Sequence, residues 1–476
     1  MMNRIIKIII VVFTIALVGC KSLAPVPEME KTPMPETFVS LKDSTSNSAK
    51  IKWNQFFTDK NLNDLIDIAI KNNIDLKMTL QDIEIARNQV KLRQGMLLPN
   101  VTVGAGAGVE KVGKYTSQGA GDASAEITSG QIVPENLTNF GLGLHASWEV
   151  DIWKKLRNSK KAAFSRYLAS IEGKNFVVTN LVSQIANSYY ELLSLDNQLD
   201  IIRETIVLQQ NALEIVKVQK EAARTTELGV KKFEAEVLNS QSLEFDILQQ
   251  IKENENNINF LLARYPQPII RDKTAITVQV PQPISEGIPA QLLKNRPDIK
   301  QVELELFATK CDVNAARAEF YPSLAISGGV GFNAFKPSYL FTAPESVFYN
   351  LLGDLVAPLI NRSAIKSQFN TAKAIQIQAM YNYQKTILNG YIEVANGISS
   401  INNLQKLYDL KNKEVQALTT AISVSNDLFR SAKVDYFEVL MTQRDALSSR
   451  LELVETKKRQ FNAVINIYKS LGGGWR

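Results

Sequence analysis

Cys20 is the side chain with the most defined chemistry in this sequence. It closes the segment Leu17-Val18-Gly19-Cys20, which follows Arg4, Lys7 and an apolar run from Ile8 to Val18. That run is about eleven residues, whereas a spanning helix needs roughly 20, so residues 1–19 read as a secretory signal. A small residue directly before Cys resembles a lipoprotein signal, in which the Cys20 thiol is acylated and becomes the mature N-terminus. Several acyl chains at about 0.8 kcal/mol per buried CH2 would make a stable membrane anchor. The only other thiol is Cys311, in an apolar helical context, and it reads as a small buried side chain. With Cys20 at the anchor, no intrachain disulfide is available, and stability must come from packing or assembly.

Catalytic chemistry has little to work with. His145 is the single histidine, which argues against imidazole catalysis and the common zinc sites. There is no Gly-rich phosphate loop, no nucleophile elbow and no clustered carboxylate motif. The expectation is no enzyme, no cofactor beyond the lipid on Cys20, and no metal. The 54 basic and 48 acidic side chains leave a net charge of +6, spread thinly over 476 residues, so nucleic acid is not implied.

The elements repeat. Asn72-Asn73-Ile74-Asp75 opens a helical stretch that runs to Leu98-Pro99-Asn100-Val101. Asn295-Arg296-Pro297-Asp298 opens a second that runs to Tyr321-Pro322-Ser323-Leu324, 223 positions later. Ala186-Asn187 matches Ala395-Asn396, and Asn259 to Leu262 matches Tyr468 to Leu471, both at an offset of 209. The chain is a tandem duplication of a unit near 200 residues, much longer than a solenoid repeat. The reading places a lipid-anchored tether at 20–50, rich in Pro, Ser, Thr and Lys. The first repeat follows at 51–270, a linker at 271–287 and the second repeat at 288–476.

Within each unit the hydrophobic period changes in the same order. Val101, Val103, Ala105, Ala107 and Val109 alternate with Thr102 and glycines, and the pattern returns over Phe140, Leu142, Leu144, Ala146, Trp148 and Val150. Strands are expected near 100–110, 140–150, 323–333 and 346–358, the last interrupted by Leu351-Leu352 and Pro358. Eleven residues of strand match a tilted transmembrane β-strand. Leu181, Ile185, Leu192, Leu195, Leu199, Ile202, Ile206, Leu213 and Val216 then form a coiled-coil-like seam in a long proline-free run. Breaks near Ala223 to Thr226 and Ser431 to Val434 divide each run into a helix of about 68 residues, roughly 100 Å long, and one of about 38. Long helices are expected at 362–431 and 436–471. A shorter helix over 66–97 would add to the second piece to match the long one.

Four strands per chain leave two open sheet edges, which a bilayer does not tolerate. Closure by other chains is implied, and three chains would give a twelve-stranded barrel. The fold class is therefore an α+β membrane protein, a trimeric barrel continued by a helical coiled-coil tunnel.

The residues resemble the TolC-like outer-membrane factor family, and within it the NodT/OprM-like lipoprotein branch. The stretches that carry the resemblance are Trp53 to Asp59, Ala86-Arg87 with Leu98-Pro99, Ser147 to Asn158, Asn295 to Ile299, Tyr436 to Arg444 and Tyr468 to Trp475, in order over residues 51–476. The resemblance implies a homotrimer in the bacterial outer membrane whose tunnel extends into the periplasm. It would be the exit duct of a tripartite efflux pump for small molecules, served by a periplasmic adaptor (membrane fusion) protein and an inner-membrane transporter of the RND type. It also implies a gate at Phe437, Glu438, Met441 and Arg444. Phe437 stands where the family has an apolar constriction and Glu438 where it has an acid; Met441 departs from the usual Asp. Three Glu438 carboxylates around a narrow axis would attract cations. Arg224, Thr225, Thr226, Ala432 and Lys433 would form the tips where the adaptor docks. A duct for type I protein secretion would differ only in its partner, and a lipid-anchored periplasmic coiled-coil scaffold would share the signal and the helices but have no reason for the paired strands.

Overall fold

The computed structural model describes residues 35, 37–38, 48–277, 287, 289–360, 362–431 and 433–476. The signal segment, Cys20 and most of the tether lie outside the described residues. Helices α1 (Lys60–Asn72), α2 (Ile74–Gly95), α3 (Lys155–Glu221) and α4 (Glu227–Leu261) belong to the first repeat. In the second, α5 (Pro297–Ala318), α6 (Ser363–Arg430) and α7 (Tyr436–Ser470) follow the same plan. Strands β1 (Asn100–Glu110), β2 (Leu137–Val150), β3 (Ser323–Ala334) and β4 (Val347–Val356) form one antiparallel sheet in chain order, with β1 and β4 at its edges.

Register sorts the side chains onto two faces. Pairs such as Val103↔Leu144, Leu144↔Val330 and Val330↔Tyr349 put aliphatic and aromatic side chains on one face. Thr102↔His145, His145↔Gly329 and Gly329↔Asn350 put glycine and polar residues on the other. The apolar face is uncovered: Val103, Tyr349 and Leu351 are exposed. Because successive residues alternate faces, Leu351 falls on the apolar face and its neighbour Leu352 on the glycine face, so the double leucine does not break the strand. The strand ends before Pro358, as a residue without an N–H requires.

One expected element is divided. The helix read over 66–97 is cut at Asn73, whose side chain caps α2 by accepting from Leu76 N at 2.9 Å. Its amide also donates to the Leu261 carbonyl, the last residue of α4, at 2.9 Å. Thus α2 and α4 meet end to end and both pack along α3. Their 22 and 35 residues lie beside a helix of 67. The second repeat solves the same problem with a different residue. Arg296, 223 positions after Asn73, donates to the carbonyl of Ser470 at 3.0 Å, where α7 ends.

The seam read from the sequence is the core. Leu181, Ile185, Leu192, Leu199, Ile202 and Ile206 of α3 are buried with Ile247, Ile251 and Ile258 of α4 and Leu447 and Phe461 of α7. Cys311 is buried against Ala162 and Ala308, and burial pushes its thiol pKa up, which suits a packing residue. Tryptophans fasten sheet to helices: Trp148 Nε1 donates to Leu97 O at 3.0 Å and Trp153 Nε1 to Pro322 O at 2.7 Å. Among the described residues no helix is long and apolar enough to cross a membrane.

Candidate gate and docking tips

The helices end, far from the sheet, in two turns that interlock. The α3–α4 turn reverses the chain with Ala223 at φ 56°, and the Arg224 N–H donates back to Gln219 O at 2.8 Å. An ion pair between Lys220 and Glu227 spans the turn, and Thr226 caps α4. In the α6–α7 turn, Lys433 N donates to Leu428 O at 2.9 Å, and Asp435 caps α7 through Phe437 N at 3.4 Å. Ala432 lies outside the described residues. The turns touch through Gly229: a Cβ there would stand 3.4 Å from the Tyr436 ring and 3.0 Å from Thr225 Oγ1. Gly229 thus sets how closely the tips approach. Thr225 Oγ1 is buried and has no hydrogen-bond partner among the described residues; Arg224 and Lys433 are exposed.

The rotation of α7 is fixed by its buried face. Val439 and Leu440 pack with Leu213, Val216, Val230, Phe233 and Val237. Phe437, Met441 and Arg444, spaced i, i+4, i+7, share one stripe of α7, and Glu438 and Met441 lie most nearly opposite that seam. Phe437 is exposed, Met441 half-buried and Arg444 exposed. Glu438 is exposed and makes no ion pair with Arg430 or Arg444 among the described residues, so it is not a helix charge satisfied by those neighbours. Phe437 is restrained from α4, where Lys232 Nζ stands 5.1 Å from its ring centroid. Such a contact contributes roughly 0.5–1 kcal/mol at an exposed site. Sequence reasoning did not find Lys232 or Gly229, because both act across the fold on a residue some 200 positions away and neither carries a local signal.

Among the described residues no group of acidic, histidine or cysteine side chains is placed to hold a metal. The arrangement is two hairpin tips with an apolar side chain and a carboxylate displayed beside them.

Residues 65–264 and 288–473 match the model of the outer membrane efflux protein family. The chain belongs to that family. The two matched stretches coincide with the repeated helices and strands. Among curated relatives, the cation efflux system protein CusC of Escherichia coli O6:H1 is 28% identical over 97% of each chain. A probable outer membrane lipoprotein, SilC of Salmonella typhimurium, is 26% identical over 96% of each, and the pyoverdine export outer membrane protein OpmQ of Pseudomonas aeruginosa is 26% identical over 97% of this chain and 95% of its own. A solved CusC structure superposes with a TM-score of 0.82 at 25% identity, covering 95% of this chain and all of that one. The open-state MtrE outer membrane channel of Neisseria gonorrhoeae gives 0.82 at 22% identity. The family places this protein in the outer membrane as an efflux channel, a transport conduit, with its helices on the periplasmic side.

Proposed function

We propose that three copies close edge to edge into a twelve-stranded barrel and form the exit duct of a tripartite pump that expels small molecules. The observation that carries this reading is the sheet: four strands with one exposed apolar face and one glycine-rich face, open at both edges. In a bilayer, unpaired edge groups cost several kcal/mol each, and joining β4 of one copy to β1 of the next satisfies all of them. A periplasmic adaptor docks on the tips at Arg224, Thr225, Thr226, Ala432 and Lys433, and an inner-membrane transporter of the RND type supplies the energy. Phe437 and Met441 make an apolar constriction, Glu438 contributes an acidic ring, and Arg444 borders it. Docking reaches the gate because the tips and Phe437 belong to one interlocked unit, through Tyr436, Gly229 and Lys232. Cys20 carries the lipid and holds the tether at the membrane. The named exports of two of the relatives, cations and pyoverdine, favour small cargo over protein secretion.

The mass of the detergent-extracted, full-length protein tests the assembly. Native mass spectrometry is expected to give three chains, each with acyl mass on the peptide beginning at Cys20. A monomer, or a chain that leaves the membrane without detergent, would leave a lipid-anchored scaffold as the better reading.

A further inference from the structure

The far end of the sheet carries a preformed cavity that the duct reading does not use. The connections β1–β2 and β3–β4 lie opposite the helices, at the outer mouth of the barrel. They are tied together: Thr138 Oγ1 donates to Phe335 O at 2.5 Å, and Lys336 Nζ to Gln131 Oε1 at 3.2 Å. Ser346 Oγ holds the second loop by donating to Tyr339 O at 2.6 Å. Between the two connections is a cavity of about 570 Å3, within the size range of small-molecule sites.

Its lining has a definite chemistry. Ile127, Leu137, Phe335 and Tyr339 provide apolar and aromatic wall, and Glu110 and Glu345 provide two carboxylates. Neither carboxylate has an ion-pair partner among the described residues. Of the nearby cations, Lys111 pairs with Glu135 at 3.2 Å, and Lys336 stands at the wall itself, over the Phe335 ring at 5.1 Å. That lysine shows how this wall receives an ammonium, since an aromatic face attracts a cation within about 6 Å of its centroid. By register Glu110 and Leu137 are partners on the glycine-rich face of the sheet, the face turned to the lumen, so the cavity borders the exit path.

We propose that this cavity binds an organic cation, a positively charged group on an aromatic or aliphatic body, at the mouth of the channel. The two carboxylates supply the charge preference, and Tyr339 with Ile127 and Leu137 the contact surface. The proposal rests on the barrel reading for its place at the exit but not for its chemistry.

The test is ethidium binding to the full-length protein in zwitterionic-lipid nanodiscs, followed by fluorescence anisotropy. Saturable binding is expected that weakens at least tenfold when Glu110→Gln and Glu345→Gln are combined, and falls further with Tyr339→Ala. A second pair, Glu149→Gln with Asp354→Asn, removes carboxylates from the same face nearer the helices and is expected to leave binding within twofold. Anilinonaphthalene sulfonate, an aromatic anion, is expected not to compete. Equal weakening by both pairs would mean a diffuse negative lumen and overturn the site. So would no saturable binding, binding indifferent to Glu110 and Glu345, or competition by the anion. None of these results touches the trimer mass measurement, so this site and the duct fail separately.

Discussion

Tyr468 shows how single residues hold the junction between tether, repeats and tunnel. Its hydroxyl donates to Ile51 O at 2.6 Å and its ring stacks on Phe56 at 4.0 Å. Burial pushes its phenol pKa up to about 12. Burial likewise raises the phenols of Tyr189 and Tyr190, and Tyr189 donates to Asp59 at 2.7 Å. The folded state therefore keeps these protons at a pH where the unfolded chain has released them. The stability so contributed is complete below about pH 10 and is lost as pH rises from about 10 toward 12, up to about 2–3 kcal/mol for Tyr468. Thermal melting from pH 8 to 11.5 is expected to fall mainly above pH 10, and Tyr468→Phe to flatten the decline. A decline of equal steepness in the variant would contradict that assignment. Tyr468 was legible in the sequence as part of a repeat landmark, but its partners Ile51 and Phe56 were not, because they lie some 400 positions earlier and only folding joins them.

At the scale of elements, two features invite substitution. Where β2 meets β3, a Cβ on Gly331 would stand 2.3 Å from Leu142 O and 2.4 Å from Gly143 Cα. Backbone cannot yield there, so Gly331→Ala is expected to abolish assembled trimer, whereas Gly353→Ala, which meets nothing within 4 Å, is expected to assemble normally. Gel filtration after membrane extraction separates the two. In the tunnel, an apolar cluster around Ile206, Ile247 and Leu447 is parted from a lower one around Leu213, Val237 and Val439. Gln209, Ser240 and Gln443 occupy the intervening positions of the same three helices. They are 0%, 0% and 6% exposed, and Gln209 Nε2 and Oε1, Ser240 Oγ and Gln443 Oε1 have no hydrogen-bond partner among the described residues. Each unmet buried group costs about 1–3 kcal/mol. Gln209→Leu with Gln443→Leu is accordingly expected to raise the melting temperature of the trimer, and a lower value would show that these amides are satisfied in the assembly. The sequence displayed the seam by its period and the strands by their alternation, because both follow from local geometry. It did not display the division at Asn73, where one amide serves two helix ends, or the polar layer, whose members come from three separate helices.

The whole molecule is a sheet at one end, hairpin tips at the other, and helices of about 100 Å between them. Its two repeats reach one architecture with different chemistry, an amide at Asn73 and a guanidinium at Arg296 each closing the joint between two short helices. The duplication was legible because both landmarks keep constant offsets. The contact of Lys232 with Phe437 was not, since it exists only once the two hairpins lie side by side. The proposed closure of the duct at its tips rests on Phe437 and Glu438. Single-channel conductance of the full-length protein in planar bilayers tests it directly, comparing the natural sequence with Phe437→Ala combined with Glu438→Ala. A small, cation-preferring conductance is expected, rising severalfold and losing its cation preference in the double variant. A natural protein already open, with conductance and selectivity that the double variant leaves unchanged, would contradict it.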